Sequence, residues 1–134
     1  MKVRLAKGVE LLAELPGVGA PATSGARVRY AARLYLRRGE EITTDADLIA
    51  RDTGYLETRH IAGVELVVHA ITLGRRQAMA GIERALDGMR AGGYREVRIA
   101  PHLAYGERGL PGRVPPAAVL RVQLWLVRIE GAAD

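Results

Sequence analysis

Residues 101–120 read PHLAYGERGLPGRVPPAAVL, and this proline- and glycine-rich segment is the most informative part of the chain. Residues 101–118 contain four prolines and three glycines, with Tyr105 in their midst. A connection of this length between regular elements is uncommon in a compact domain, and such loops usually carry function. We therefore expect a functional loop here, and the flanking segments indicate which elements it joins.

The segments on both sides of this loop alternate between apolar and polar residues, which is the pattern of a half-buried β-strand. The same alternation recurs earlier in the chain, so five strands are predicted, at residues 3–12, 27–34, 63–73, 94–100 and 120–127. The side chains expected to face inward from the clearest three strands are Val28, Tyr30, Ala32, Leu34, Val97, Ile99, Leu120, Val122, Leu124 and Leu126.

A single helix is predicted at residues 81–89. Its apolar residues lie at positions i, i+3, i+4 and i+7 and form one stripe, made of Ile82, Ala85, Leu86 and Met89. The glycine pair at residues 92–93 predicts a left-handed end to this helix. Mostly antiparallel strands with one short helix indicate an α+β domain, and 134 residues correspond to one domain.

The composition is that of an ordinary globular protein, with 49% hydrophobic and 26% charged residues. No apolar run approaches the roughly 18–20 residues that a membrane span requires. The first 15 residues alternate in polarity instead of forming the apolar block of a signal peptide. We therefore expect a cytoplasmic protein with no membrane partner. Because the chain has no cysteine, disulfides and thiol catalysis are excluded.

The chain is basic, with 20 Lys and Arg residues against 15 acidic residues and a net charge of +5. Such a balance raises the affinity for polyanions and makes nucleic acid a candidate partner. The arginines are scattered, however, and five tyrosines with one tryptophan and no phenylalanine are too few to interleave as stacking platforms. The charge is therefore interpreted as a solvated surface, and nucleic acid is disfavoured as a partner.

Motifs for metal or nucleophilic chemistry are absent from the sequence. His60, His69 and His102 are not spaced as metal ligands, so no metal site is predicted. Ser24 is the only serine and lies outside a GxSxG motif, which argues against serine nucleophile chemistry.

Several short motifs instead recur in the order and spacing of one protein family. LAYG at residues 103–106 is followed by VPPAAVL at residues 114–120, and residues 78–81 read AMAG ahead of the predicted helix. Over residues 25–42 and 69–130 the chain resembles the FKBP-type peptidyl-prolyl cis-trans isomerases.

This resemblance implies an architecture and a reaction. The implied fold is α+β, an antiparallel sheet of five or six strands wrapped around one short helix, in a single domain over residues 1–134. The connection at residues 43–68 is longer than the family's usual one. The implied activity is rotation about the X-Pro bonds of peptide segments in an apolar pocket, with no cofactor and no covalent step. The implied substrates are proline-containing peptides or unfolded protein segments, with macrolides as further candidate ligands.

The resemblance also implies a set of site residues. The catalytic residues are the Tyr105 hydroxyl, the Met79 backbone N–H, which holds a substrate carbonyl, and Tyr30 on the pocket wall. The substrate-binding residues are Ile42, Thr43, His69, Ala78, Ile82, Arg113, Val114 and Val122. Four of these replace aromatic residues of the family: Ile42, His69, Ile82 and Val122. We therefore expect a wider pocket and a weakened activity, with a non-catalytic FKBP-like peptide-binding or chaperone module as the alternative.

Overall fold

The computed structural model of this chain describes residues 3–42 and 57–130. Within these ranges the backbone forms nine strands, one α-helix and a short 3-10 helix at Pro101–Leu103. The strands are β1 (Val3–Ala6), β2 (Val9–Leu15), β3 (Arg27–Tyr35), β4 (Glu41–Ile42), β5 (Thr58–Ile61), β6 (Val64–Val67), β7 (His69–Thr72), β8 (Tyr94–Ile99) and β9 (Leu120–Glu130). The α-helix, α1, spans Ala80–Leu86. No helix of the described residues is long and apolar enough to cross a membrane.

Seven of these strands form one antiparallel sheet in the order β1-β2-β8-β9-β3-β4, with β7 also paired to β3. β5 and β6 form a separate hairpin. The prediction of an α+β fold, with an antiparallel sheet and one short helix, is confirmed. The sheet has seven strands instead of five or six, because residues 3–12 supply two strands and the two-residue β4 also pairs with β3.

The prediction of one strand at residues 3–12 is wrong, because the chain reverses at Lys7 and Gly8. Gly8 has a φ of 84°, a left-handed conformation that glycine adopts without steric cost. Ala6 pairs with Val9 across this turn. A turn of two residues keeps the alternation of apolar and polar residues in the same phase on both sides. The hairpin therefore shows the sequence pattern of one continuous strand.

Residues 63–73, also predicted as one strand, divide between β6 and β7. The break is at Val68, whose N–H donates to the carbonyl oxygen of Glu57 at 2.8 Å. Of the extended connection predicted at residues 43–68, the described part is this β5–β6 hairpin. Arg29 ties the hairpin to the sheet, because its guanidinium pairs with Glu57 at 2.8 Å and with Glu130 at the end of β9.

The helix ends earlier than the glycine pair at residues 92–93 predicts. Gly88, with a φ of 85°, turns the chain away after Leu86 and donates its N–H to the carbonyl of Ala22 at 2.8 Å. The N–H of Gly92 instead donates to the carbonyl of Leu126 at 2.8 Å. The helix therefore ends before Gly88, and the later glycine pair lies in the connection to β8, where it is hydrogen-bonded to Leu126 of β9.

The apolar stripe of the helix packs into the core as predicted: Ile82, Ala85, Leu86 and Met89 are all at most 5% exposed. The side chains predicted to face inward from the strands are likewise buried, except Ala32, which is half-buried while its neighbour Ala31 is fully buried. Gly81 allows α1 to approach β8 closely, because a methyl group at this position would overlap the side chain of Ile99.

Candidate active site

The segment that leads into α1 is held by polar side chains. Glu83, in the first turn, accepts hydrogen bonds from the N–H of Gly74 at 2.9 Å and from the N–H of Ala78 at 3.0 Å, one on each carboxylate oxygen. Gln77 accepts from the N–H of Thr72 at 2.7 Å. These bonds fix the course of residues 74–78, and so they set where Met79 lies just before the helix.

The backbone N–H of Met79 is an available donor. Met79 precedes the helix with a φ of −49° and a ψ of 134°, and its carbonyl accepts from the N–H of Glu83 at 3.0 Å. Its own N–H donates no hydrogen bond within residues 3–42 and 57–130. The residue is half-buried and packs against the hydrophobic core. A free donor therefore lies at the border of an apolar region.

Tyr30 supplies a second donor. Its ring is 5% exposed and stacks on His69, with 5.2 Å between ring centroids and 29° between planes. The two residues are register partners on β3 and β7. Burial raises the pKa of the Tyr30 hydroxyl, and the negative charge of Glu83 raises it further. The phenol therefore keeps its proton at neutral pH and is a donor.

The Tyr30 hydroxyl makes no hydrogen bond to any described residue. Across the same part of the chain, no side-chain nitrogen or oxygen is both buried from solvent and without a partner. The Tyr30 oxygen therefore lies where solvent, or a bound molecule, can reach it. An almost buried ring that directs its polar end into accessible space is suited to holding a ligand acceptor.

The remaining predicted site residues differ in how they are placed. Four are buried in the hydrophobic core together with Tyr30: Ile42, Ile82, Val114 and Val122. Two half-buried residues, Ala78 and Tyr105, pack against that core, and His69 lies beside it on Tyr30. Arg113 is exposed on the 101–118 loop, next to the buried Val114. Thr43 lies outside the described residues.

The loop at residues 101–118 is hydrogen-bonded within itself. The N–H of Gly106 donates to the carbonyl of Pro101 at 2.8 Å, and the N–H of Ala117 donates to the carbonyl of Gly106 at 3.2 Å. Leu110 and Val114 pair as an isolated antiparallel bridge. The prolines and glycines thus build a closed loop in which Tyr105 packs against the core. The core side chains beside the candidate site are mostly aliphatic.

A second concave surface, of about 720 Å³, lies between β1, residues 73–80 and α1. This groove is lined by Ala78, from the segment ahead of the helix, and by Glu83, which is hydrogen-bonded to that segment. Tyr30, Met79 and Tyr105 do not line the groove. We assign the site to the Tyr30 side because both available donors border the same hydrophobic core, to which Tyr30 belongs and against which Met79 packs. No group of three metal-ligating side chains occurs in the described ranges, 3–42 and 57–130.

A family model described as FKBP-type peptidyl-prolyl cis-trans isomerase matches residues 19–126, which is most of the chain. The chain belongs to the FKBP family. The match includes the helix, the 101–118 loop and every predicted site residue, from Tyr30 to Val122.

Individual relatives agree with this assignment. The rat protein named peptidyl-prolyl cis-trans isomerase FKBP9 is 40% identical over 65 residues, which cover 48% of this chain and 11% of that protein. FK506-binding protein 1A of Neurospora crassa is 42% identical over 60 residues, covering 45% of this chain and 50% of that protein. The chain thus spans between about a tenth and about half of the length of these curated relatives.

The fold has a counterpart among solved structures. The N-terminal domain of FKBP42 from Arabidopsis thaliana superposes with a TM-score of 0.71 at 16% sequence identity, covering 97% of this chain and 92% of that chain. At this identity the likeness concerns the fold alone, and it shows that the sheet and helix described above form an FKBP fold.

Two residues that organise this FKBP site were not predicted from the sequence, Glu83 and Gln77. Both act on backbone N–H groups and contribute no chemistry of their own. An acidic side chain in the first turn that reaches back ahead of the helix resembles a capping box, so the position of Glu83 in AMAGIE was an available signal. For Gln77 the sequence offers no comparable signal.

Proposed function

We propose that this FKBP domain catalyses the cis–trans isomerisation of X-Pro bonds in peptide segments. One observation carries the proposal: the Met79 N–H and the Tyr30 hydroxyl have no partner among the described residues, while the core that both residues contact is mostly aliphatic. A proline-containing peptide supplies carbonyl acceptors for such donors and an apolar ring for such walls.

The physical basis is the electronic change that accompanies rotation. The peptide bond turns over a barrier of about 18–20 kcal/mol, because rotation breaks amide resonance. In the twisted state the carbonyl is less polar, so a water-poor site beside the aliphatic core that contains Ile42, Ile82 and Val122 favours this state over the planar one. The neighbouring carbonyls stay polar, and donation from Met79 and Tyr30 holds them while the bond turns.

The aliphatic walls make this a divergent site. Ile42, Ile82 and Val122 have no ring faces against which the prolyl ring could pack, and His69 is instead stacked on Tyr30. Aromatic side chains bury more area than aliphatic ones and contribute strongly to binding, so peptide affinity is expected to be reduced. We therefore expect a modest isomerisation rate. We also expect macrolides to compete with peptides for the same site.

The test is the exchange rate of a short Ala-Pro peptide, followed by NMR at increasing protein concentration. The exchange rate should rise in proportion to the protein, and a macrolide should suppress the increase. Tyr105→Phe should lower kcat/KM about threefold to tenfold, the range for loss of one neutral hydrogen bond, with little change in the thermal midpoint.

The alternative, a non-catalytic peptide-binding or chaperone module, predicts a different result. Peptide binding with no rate increase at high protein concentration would contradict the proposed catalysis and identify that module. A large loss of stability in Tyr105→Phe would show that this residue serves packing and not turnover.

A further inference from the structure

Glu83 contacts the candidate site at several points at once. Its two carboxylate oxygens accept from the N–H groups of Gly74 and Ala78, and its own N–H donates to the carbonyl of Met79. Its negative charge also lies close enough to Tyr30 to raise the pKa of that hydroxyl. One half-buried side chain thus connects the segment before the helix, the first helical turn and the pocket wall.

The segment that Glu83 holds has a conformation that needs support. Gly74 has a φ of 86°, and Arg76, which is not glycine, has a φ of 56°. A non-glycine residue in the left-handed region costs of order 1 kcal/mol and persists only where the surroundings impose it. Both ends of residues 74–78 are bonded to Glu83, and these bonds impose that course on an exposed loop.

We propose that Glu83 is a positioning residue, which holds the Met79 N–H in the orientation that binds the substrate carbonyl. This inference rests on the proposed function. The Ala78 N–H belongs to the peptide unit just before the one that carries the Met79 N–H. The bond from the Ala78 N–H to Glu83 on one side, and the bond from the Glu83 N–H to the Met79 carbonyl on the other, limit how far the Met79 N–H can turn. A donor displaced by about 1 Å loses most of its effect on a bound reactant.

The kinetic experiment uses Glu83→Ala and Glu83→Gln, with Asp87→Asn as the matched control. Asp87 is an exposed carboxylate at the other end of the same helix. Glu83→Ala should lower kcat/KM about tenfold, since both bonds are lost, whereas Glu83→Gln keeps one acceptor oxygen and should lower it about threefold. Asp87→Asn should stay within about twofold of the wild type.

A double-mutant cycle separates positioning from a general structural role. If Glu83 acts through the Met79 N–H, then Glu83→Ala adds less than about twofold to the loss in Met79→Pro, which has no N–H at that position. Multiplicative losses would overturn the proposal. The thermal midpoint of each variant is measured as a control. A midpoint well above the assay temperature shows that the rates belong to folded protein.

Amide hydrogen exchange decides the proposal independently of catalysis. In Glu83→Ala the Gly74 and Ala78 amides should exchange about tenfold faster, while the β8 and β9 amides keep their rates. The proline peptide should also shift the Met79 amide signal in the wild type and not in this variant. If the Gly74 and Ala78 amides of Glu83→Ala exchange as slowly as in the wild type, the role of Glu83 is refuted. It is also refuted if the proline peptide shifts the Met79 amide signal equally in both proteins. Absence of any isomerase rate in the wild type would refute only the proposed function.

Discussion

Met79→Pro removes the backbone N–H that is proposed to hold the substrate carbonyl, at a position whose backbone already suits proline. The φ of Met79 is −49°, next to the upper end of the range of about −65 ± 15° that the proline ring imposes. No described residue accepts from this N–H, so its loss breaks no hydrogen bond of the folded chain. The free energy of unfolding should therefore change by less than about 1 kcal/mol.

The expected effect on catalysis follows from the surroundings of the lost donor. A carbonyl that enters the aliphatic cleft without a partner bears the cost of an unsatisfied buried acceptor, about 1–3 kcal/mol. At 1.36 kcal/mol for each factor of ten, kcat/KM should fall about 5- to 150-fold. Proline also removes the methionine side chain, so Met79→Ala, which keeps the N–H, is the matched control.

The assay is peptide exchange followed by NMR for the wild type, Met79→Ala and Met79→Pro at one temperature. The ratio of kcat/KM between the two variants measures the N–H alone. A ratio within about twofold, with both proteins folded by their amide spectra and thermal midpoints, would refute the assignment of Met79 as a substrate donor.

Two further predictions concern stability. Gly81→Ala should lower the free energy of unfolding by about 1–2 kcal/mol, because the new methyl overlaps the Ile99 side chain. The same change should cost less in an Ile99→Ala chain, which lacks the overlapping atoms. A stabilised Gly81→Ala protein in thermal or urea unfolding would contradict the close helix–sheet approach. Hydrogen bonding to Arg29 lowers the pKa of Glu130, and bonds first to Arg59 and then to Arg29 lower that of Glu57. Lowered carboxyl pKa values stabilise the fold above the ordinary value of 4.5, and this contribution is lost as the pH falls through the folded-state values. The thermal midpoint of Arg29→Gln should therefore lie below the wild type at pH 7 and converge with it towards pH 3, and a constant difference across that range would contradict this ion-pair network.

The parts of the fold that could be predicted are those with a strictly local signal. In β8 and β9, apolar side chains at every second position face the core, because one face of a strand is buried whatever its neighbours are. The stripe from Ile82 to Met89 is local in the same sense. The loop motif around Tyr105 and the AMAG segment carried the family assignment, and residues 19–126 match that family.

The parts that could not be predicted depend on which of several equivalent local choices the packing selects. Gly8, Gly88 and Gly92 all permit a reversal, and only contacts with distant strands determine which one ends an element. The two-residue turn at Lys7 and Gly8 leaves the alternation in phase, so no local pattern distinguishes a hairpin from one long strand there.

The amino-acid sequence by itself determined the α+β class, the burial of the strand and helix faces, and the motifs that carry the family assignment. Only the tertiary structure decided that Glu83 holds both ends of residues 74–78, that Arg29 bridges Glu57 and Glu130, and that the Tyr30 hydroxyl has no described partner. The physical reason is range: burial of a face follows from neighbours two to four residues apart. The direction of a hydrogen bond depends on where separate segments meet, and Arg29 and Glu130 are 101 residues apart in the chain.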